Sequence, residues 1–427
     1  MSKPGYRRTK IGKQRLHPET QMMSYGFDPF MSEGSVKPPL FLTSTFAFKS
    51  AEEGADFFDV AAGRKQLPED ESAGLVYSRF NNPNLEILED RLALFEQGAA
   101  CAVFSSGMAA ISAVFLAYLR PGDVVVHSSP LYGGTETLIR KLLPEFEIQS
   151  TDFYDGLSAT EIGSSMQKAT GLGPVKMVFI ETPANPTNSM VDFELIRTEV
   201  DAYEKKNGHR PITVCDNTML GPIYQSPLQH GIDLAIYSLT KYIGGHSDLV
   251  AGGVIGNKDL IARIRTIRGA YGSQLDPHSA WLIGRSLETL VLRMQRAETS
   301  ARVVAEWLKH NEHCKVDVLH PVYLTDERFQ AVVSKQTSGA GSTFSFVVEN
   351  RDRAFKIING LKLFKSAVSL GGTESLVCHP ASTTHSGVSA EIRDMVGVSE
   401  GLIRISIGLE HPDDLIADLD EAMRAAF

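Results

Sequence analysis

From Cys101 to Tyr242 the chain repeats one pattern, in which a short apolar run ends in polar residues and gives way to apolar side chains at helical spacing. CAVFSSGMAAISAVFLAYLRPGDVVVHSSPLYGG reads as a buried strand, a Ser/Gly turn, an Ala-rich helix, a Pro-Gly turn and a second strand. KMVFIETPAN, ITVCDNT and LAIYSLTKY continue the alternation. Parallel strands need a crossover long enough to hold a helix, and helices on both faces keep such strands apolar throughout. The pattern therefore predicts an α/β fold with a mostly parallel central sheet. Polar residues at the ends of these runs are the places to look for chemistry.

The flanking segments differ. Residues 1–75 have little periodicity and include Pro38-Pro39, a Thr/Phe-rich run and the polar stretch Gly63 to Gly74, so an arm with loops is expected there. LEILEDRLALFEQG then opens a helix with Gly98 as its stop. A large domain over 76–290 and a smaller C-terminal α+β domain over 291–427 follow from the strongly helical Asp259 to Leu308, then STFSFVVE, LIRISIGLE and the helical tail. The Leu, Val and Met stripe of the helical stretch reads as packing.

With 427 residues, 43% of them hydrophobic, the chain can bury a sizeable core. A net charge of −9 offers no general attraction to nucleic acid or an anionic membrane. Cys101, Cys215, Cys314 and Cys378 show no metal-ligand spacing and fit a reducing compartment. No apolar run follows the basic opening, so neither a secretory signal nor a membrane span is expected and the location expected is cytoplasmic. His246 and His385 belong to no ligand cluster, so no metal is expected.

The sharpest local feature is IYSLTKYIGGHSDLVAGGVIG. Lys241 follows an apolar strand, where an ammonium is costly unless paired or used covalently, and a Schiff base with an aldehyde cofactor resolves the conflict. Asp216, at the end of ITVCDNT, suits a protonated pyridine nitrogen, although a strand-end Asp also makes turns. Asn185 can donate to a ring hydroxyl, and its Asn-Pro context equally marks a turn. In FSSGMAAI, Gly107 permits close backbone approach and Met108 begins a helix whose free amides can meet a phosphate, with Ser238 and Thr240 adding hydroxyls. Tyr77 and Arg79 in LVYSRFNNPN can add a hydroxyl and a guanidinium fork, or form a solvated loop. Tyr132 can stack on a ring or pack in the core. Arg404, in the apolar LIRISIGLE, needs a partner, either a substrate carboxylate or a protein Asp or Glu. Ser369 positions substrate or lysine, or caps a turn.

The ordered set YSRFNNPN, SSGMAAI, SPLYGG, ETPANPT, VCDNT, YSLTKYIGGHSD, AVSLGGTESL, HPASTTHS and GLIRISIGLE resembles the cysteine and methionine metabolism family of pyridoxal-phosphate enzymes, from about Pro38 to the C-terminus. That resemblance implies the aspartate aminotransferase-like fold (fold type I) and pyridoxal 5'-phosphate as cofactor. It implies Lys241 as the Schiff-base and proton-transfer residue, Asp216 on the pyridine nitrogen, Tyr132 stacked on the ring and Glu181 behind it. Gly107, Met108, Ser238 and Thr240 match the phosphate site. Tyr77 and Arg79 match residues that reach a neighbouring subunit's phosphate, implying dimers that share active sites, assembled as a homotetramer. Arg404 matches the carboxylate clamp, with Ser369 and Asn185 beside it.

Several positions depart from the family pattern. Gly134 stands where methionine gamma-lyases typically carry cysteine, which weakens methionine as the preferred substrate. Val368 replaces the glutamate general in animal and yeast-type cystathionine gamma-lyases. Asn81 and Asn84 replace smaller or hydroxylated residues, and Gly63 to Gly74 is an insertion near the cofactor entrance. The expected reaction is gamma-elimination from cystathionine, methionine or homocysteine, giving 2-oxobutanoate, ammonia and a thiol. Gamma-replacement on an O-acyl-homoserine is the alternative, beta-elimination of cystathionine is less favoured, and a cofactor-binding protein without turnover belongs to another class.

Overall fold

The computed structural model describes residues 7–61, 64–66 and 74–427. The arm holds a two-stranded hairpin, β1 (Lys10–Ile11) with β2 (Gln14–Arg15), and two helices, α1 (Pro18–Met22) and α2 (Ala51–Ala61). The last of these was not expected. Its 11 residues lie in the stretch read as loops, and they are helical although most are exposed. Glu52 and Glu53 sit in its first turn, where carboxylates complement the free amides. Most of Gly63 to Gly74 lies outside the described residues.

Seven strands make the central sheet: β3 (Ala100–Phe104), β4 (Val124–Ser128), β5 (Gln149–Phe153), β6 (Val175–Glu181), β7 (Ile212–Asp216), β8 (Leu234–Ser238) and β9 (Gly252–Gly256). Their order is β3-β9-β8-β7-β6-β4-β5. Neighbours from β8 through β5 are parallel, and β9 is antiparallel to both of its neighbours. Parallel pairing sends Glu181, Asp216 and Ser238, the last residues of β6, β7 and β8, to one edge. The antiparallel β9 then sets Gly252 opposite both Ser238 and Phe104. A Cβ on Gly252 would lie 2.2 Å from the Ser106 carbonyl oxygen, so only glycine lets the turn after β3 close over this edge.

Helices cover both faces. α3 (Pro83–Glu96), capped by the Asn82 side chain, packs with α9 (Pro277–Leu287) through Leu85, Leu88, Leu92 and Ile283. The residue that ends α3 in the left-handed region is Gln97 (φ 60°) rather than Gly98. Gly98 is needed for a different reason, since its Cβ would meet the Ile255 side chain at 2.5 Å. α4 (Gly107–Tyr118) and α8 (Lys258–Tyr271) share a core with Phe104, Phe179 and Ile236. A short α5 (Gly133–Thr137) precedes α6 (Ala159–Thr170) and α7 (Phe193–Asn207), which pack through Ile162, Met166, Ile196 and Val200 against Val126 and Val178.

α10 (Leu290–His310) leads to a second sheet of β10 (Asp317–Leu319), β11 (Thr343–Val347), β12 (Lys365–Ser366), β13 (Leu376–Cys378) and β14 (Leu402–Ser406), in the order β10-β11-β14-β13-β12. α12 (Arg351–Gly360) and α14 (Pro412–Ala426) bury Ile357, Leu415 and Leu419 against its Phe344, Phe346, Ile403 and Ile405. α11 (Glu327–Gln336) and α13 (Ala390–Met395) complete the smaller unit. No helix among the described residues is long and apolar enough to cross a membrane.

One buried charge cluster ties α3, α8 and β3 together. Glu89 of α3 pairs with Arg268 at 2.6 Å and Arg265 at 2.6 Å, both from α8, and accepts the Val103 amide of β3. Arg268 also donates to the Val103 and Phe80 carbonyls, so the strand before the Ser106 turn and the loop carrying Tyr77 and Arg79 share one support. Glu89→Gln leaves Arg268 buried without its counter-charge. A loss of about 3–5 kcal/mol is expected, read as a lowered denaturant midpoint, with Arg265→Gln costing less because Arg265 is far more exposed.

Candidate active site

The strand ends open into a cavity of about 580 Å³ closed on its far side by the second sheet unit. Eleven of the thirteen site residues expected from the sequence line it: Gly107, Met108, Tyr132, Glu181, Asn185 and Asp216, with Ser238, Thr240, Lys241, Ser369 and Arg404. Tyr77 and Arg79 do not. Tyr77 is exposed, and Arg79 donates to the Gly269 carbonyl at 2.5 Å and lies over the Phe80 ring.

Lys241 sits in the tight turn after β8, where its amide donates to the Ser238 carbonyl and its own carbonyl accepts from Gly245. Its Nζ donates to Ser369 Oγ at 2.8 Å. Ser369 has φ 121°, a backbone conformation that a side chain rarely tolerates, so the second unit holds this hydroxyl against local preference. Burial, followed by the nearby Arg404 charge, lowers the Lys241 pKa from 10.5 to about 8.

Two carboxylates lie side by side beneath, since Glu181 and Asp216 are register partners on β6 and β7. Glu181 accepts the amides of Tyr132 at 2.7 Å and Asn185 at 3.0 Å, fixing the two segments that flank the cavity. Asp216 accepts the Thr218 amide and hydroxyl on Oδ1. Desolvation raises both, and for Glu181 the Asp216 charge adds to it. Among the described residues neither has an ion-pair partner.

The phosphate-type donors gather opposite. Ser106 caps α4 by accepting the Ala109 amide, which leaves the first amides of the helix free. Gly107 brings that helix start against Ser238, whose Cβ would be 3.2 Å from a Cβ at 107. The Thr240 hydroxyl is already engaged, donating to the Ala251 carbonyl and accepting its amide, so it also anchors the lysine turn to β9.

Arg404, on β14, is 2% exposed. It donates to Asn185 Oδ1 at 3.0 Å and to the Ser369 carbonyl at 2.6 Å, and its Nε has no partner. Among the described residues no carboxylate pairs with it, so the structural salt bridge that its sequence context allowed is not formed. The guanidinium is left available to an anionic ligand.

Thr218, Thr383 and Thr384 line the cavity as well and were not anticipated. Thr218 had a signal, because a hydroxyl two residues after a strand-end Asp commonly bonds back to it. The two threonines of HPASTTHS had none. They meet the Tyr132 turn only in three dimensions, with the Thr384 carbonyl 2.5 Å from where a Gly133 Cβ would sit. The departures noted above also acquire places. A Cβ at Gly134 would come 2.7 Å from the Tyr132 ring and 3.0 Å from Met108 sulfur, so glycine gives that ring its present position. Val368 is exposed at the cavity mouth. Asn84 instead binds the arm, through Phe41 and Pro39, and Asn81 bridges Val76 and Gly74.

An aldehyde-bearing ring with a cationic nitrogen and a phosphate fits this set of groups. The amine of Lys241 is partly buried and weakly basic, Asp216 lacks a cation among the described residues, and the start of α4 lies against Ser238. The fold and the cavity thus suit an α/β enzyme whose cofactor is a phosphorylated aldehyde. The chain belongs to the Cys/Met metabolism PLP-dependent enzyme family, whose model matches residues 19–424. It is 38% identical over 410 residues to an L-methionine gamma-lyase of Pseudomonas deceptionensis, covering 95% of this chain and 97% of that one. A crystal structure of cystathionine gamma synthase from Xanthomonas oryzae pv. oryzae superposes with a TM-score of 0.83 at 34% identity, covering 97% and 99% of the two chains. A putative O-acetylhomoserine (thiol)-lyase from Campylobacter jejuni, solved with a pyridoxyl-lysine monophosphate, gives 0.86 at 29% identity over 96% and 100%. The protein is a pyridoxal-phosphate enzyme of fold type I acting on sulfur amino acids by elimination or replacement.

A lysine whose pKa is lowered is neutral, and nucleophilic, above that value and protonated below it. In cofactor-free enzyme the Lys241 amine should therefore gain reactivity toward an added aldehyde through a midpoint near pH 8. Quantifying the borohydride-trapped lysine by mass spectrometry across pH checks this, and a midpoint near 10.5 would mean that burial does not act as described.

Proposed function

We propose that this enzyme carries out gamma-elimination on a four-carbon sulfur amino acid, cystathionine, methionine or homocysteine, releasing a thiol, ammonia and 2-oxobutanoate. The observation that carries the reading is the meeting, in one cavity, of the Lys241 amine, the unpaired Arg404 guanidinium and an apolar wall that includes Ile111, Val250 and Val368. The identity to a methionine gamma-lyase supports it.

When bound, pyridoxal phosphate supplies an electron sink for charge developing at the substrate's Cα. Arg404 binds the α-carboxylate and, with Asn185 and Ser369, orients the Cα–H bond. Lys241 Nζ removes the α-proton and serves the later proton transfers, its lowered pKa suiting a base near neutral pH. Tyr132 lies over the cavity and assists departure of the γ sulfur. Asp216 holds the ring-nitrogen proton, Glu181 locks the Tyr132 and Asn185 backbones, and Gly107, Met108 and Ser238 take the phosphate, with Thr240 joining them once its hydroxyl turns from the Ala251 carbonyl.

Tyr77 and Arg79 are assigned to the neighbouring subunit's site, because they lie outside their own chain's cavity. We place them in dimers that share sites, paired into a homotetramer. The separate cores support a division into an arm (1–75), a large domain (76–290) and a small domain (291–427). Net negative charge and four unpaired, buried cysteines support a cytoplasmic setting.

Gamma-replacement on an O-acyl-homoserine is the second reading, supported by the likeness to a gamma synthase. Incubation with methionine, cystathionine and an O-acyl-homoserine, with and without a thiol, separates the two. Stoichiometric 2-oxobutanoate and thiol are expected, and thioether formation without comparable 2-oxobutanoate would favour replacement. For the shared site, co-expressed Lys241→Ala and Arg79→Ala chains should regain activity over either parent. One site of such a hybrid then has both native residues, and no recovery would return Arg79 to its own chain.

A further inference from the structure

We propose that Arg293 is a positioning residue that sets the Lys241 turn by gripping the backbone carbonyls immediately after the lysine. This rests on Lys241 being the lysine that holds the cofactor.

The turn after β8 leaves the Tyr242 and Ile243 carbonyls without a backbone partner. The amides of Gly244 and Gly245 fold back onto the Leu239 and Lys241 carbonyls at 2.7 Å each, and this passes over the carbonyls of Tyr242 and Ile243. Arg293, in the first turn of α10, fills both. Its Nη1 donates to the Tyr242 oxygen at 2.8 Å, and its Nη2 to Ile243 at 3.3 Å and to Ser286 at 3.0 Å, the last near the end of α9. Its Nε reaches the Thr289 hydroxyl. The guanidinium therefore joins the lysine turn, the end of α9 and the start of α10 in one fork.

No carboxylate pairs with Arg293 among the described residues. A partly buried guanidinium without an anion is costly to keep, and here its donors face three backbone carbonyls and one hydroxyl. A lysine could not replace it, because one ammonium lacks the planar fork that spans three carbonyls in fixed directions. The glycine pair of KYIGGH now has a physical reason. Gly245 has φ 70°, and a Cβ there would lie 1.8 Å from Arg293 Nη1, so the guanidinium occupies the space a side chain would fill.

The location of α10 extends the consequence. Leu290 and Met294 lie in the core beneath the lysine turn, and Ala301, Val304, Ala305 and Leu308 of the same helix lie in the core of the second unit, which supplies Ser369 and Arg404. Arg293 thus registers Lys241 to the one helix that both cores share. Displacing the turn moves Nζ relative to Ser369 Oγ and to the substrate's Cα while leaving the Arg404 clamp in place.

The test compares wild type, Arg293→Lys, Arg293→Ala and Lys241→Ala as purified holoenzymes. Arg293→Lys should lower kcat roughly 100-fold, the loss expected from a small misplacement of a reacting group. KM should stay within a few-fold, and the visible circular dichroism of the bound cofactor should change as its tether shifts. Added guanidinium ion should partly restore kcat in Arg293→Ala. If that variant does not accumulate folded, Arg293→Lys decides. Wild-type kcat and dichroism in Arg293→Lys overturn the proposal, as does a lowered Tm with both unchanged. Lys241→Ala tells the two readings apart. Its loss of the cofactor's visible band keeps the lysine assignment whatever Arg293 does, and retention of band and activity removes that assignment and this proposal with it.

Discussion

The structure depends on gathering ionisable groups in one partly enclosed cavity. Lys241 and Arg404 share one cavity with Glu181 and Asp216, yet the groups are not paired off against one another. Lys241 donates to a serine, Arg404 to an amide oxygen and a backbone carbonyl, Glu181 accepts two amides and Asp216 a threonine. Each ionisable group is held by neutral dipoles, and this leaves its electrostatic demand for a bound group to meet. Mutual salt bridges would have satisfied the protein and emptied the site of function.

Holding such groups requires a stiff frame, and the frame is made of backbone. The ends of β6, β7 and β8 fix Glu181, Asp216 and Ser238 at the spacing of a parallel sheet, and the antiparallel β9 folds Gly252 beneath the Ser106 turn. Glu89 and Arg268 buttress the same turn from behind. The second unit then contributes Ser369 and Arg404 across the cavity, with Ser369 kept in a conformation that its own residue type disfavours. Strain of this kind persists only where surrounding packing over-determines it.

Local signals were read reliably where one stretch of chain decided the outcome. The strand–helix alternation, the helix start read at Met108 and found one residue earlier, and the polar ends of the buried strands all follow from neighbours in sequence. Reading failed where a residue answers to something distant. Gly98 looks like a helix stop and is instead a packing contact with Ile255, while Gln97 takes the left-handed turn. Asn84, noted only as a departure from the family pattern, binds the arm. α2 forms in a stretch whose turn residues argued against it.

By itself the sequence determined the α/β layout, the kinds of group at each strand end and the identity of the buried amine, because hydrophobic period and the cost of burying charge are local properties. It could not determine which of those groups face each other. That Arg404 meets Asn185 rather than a carboxylate, that Lys241 lies against Ser369, and that Thr384 closes over Gly133 are decided by how the two sheet units bring together residues more than 100 positions apart in the chain. Contacts between distant segments depend on the geometry of the whole packed core, which no single stretch of residues encodes.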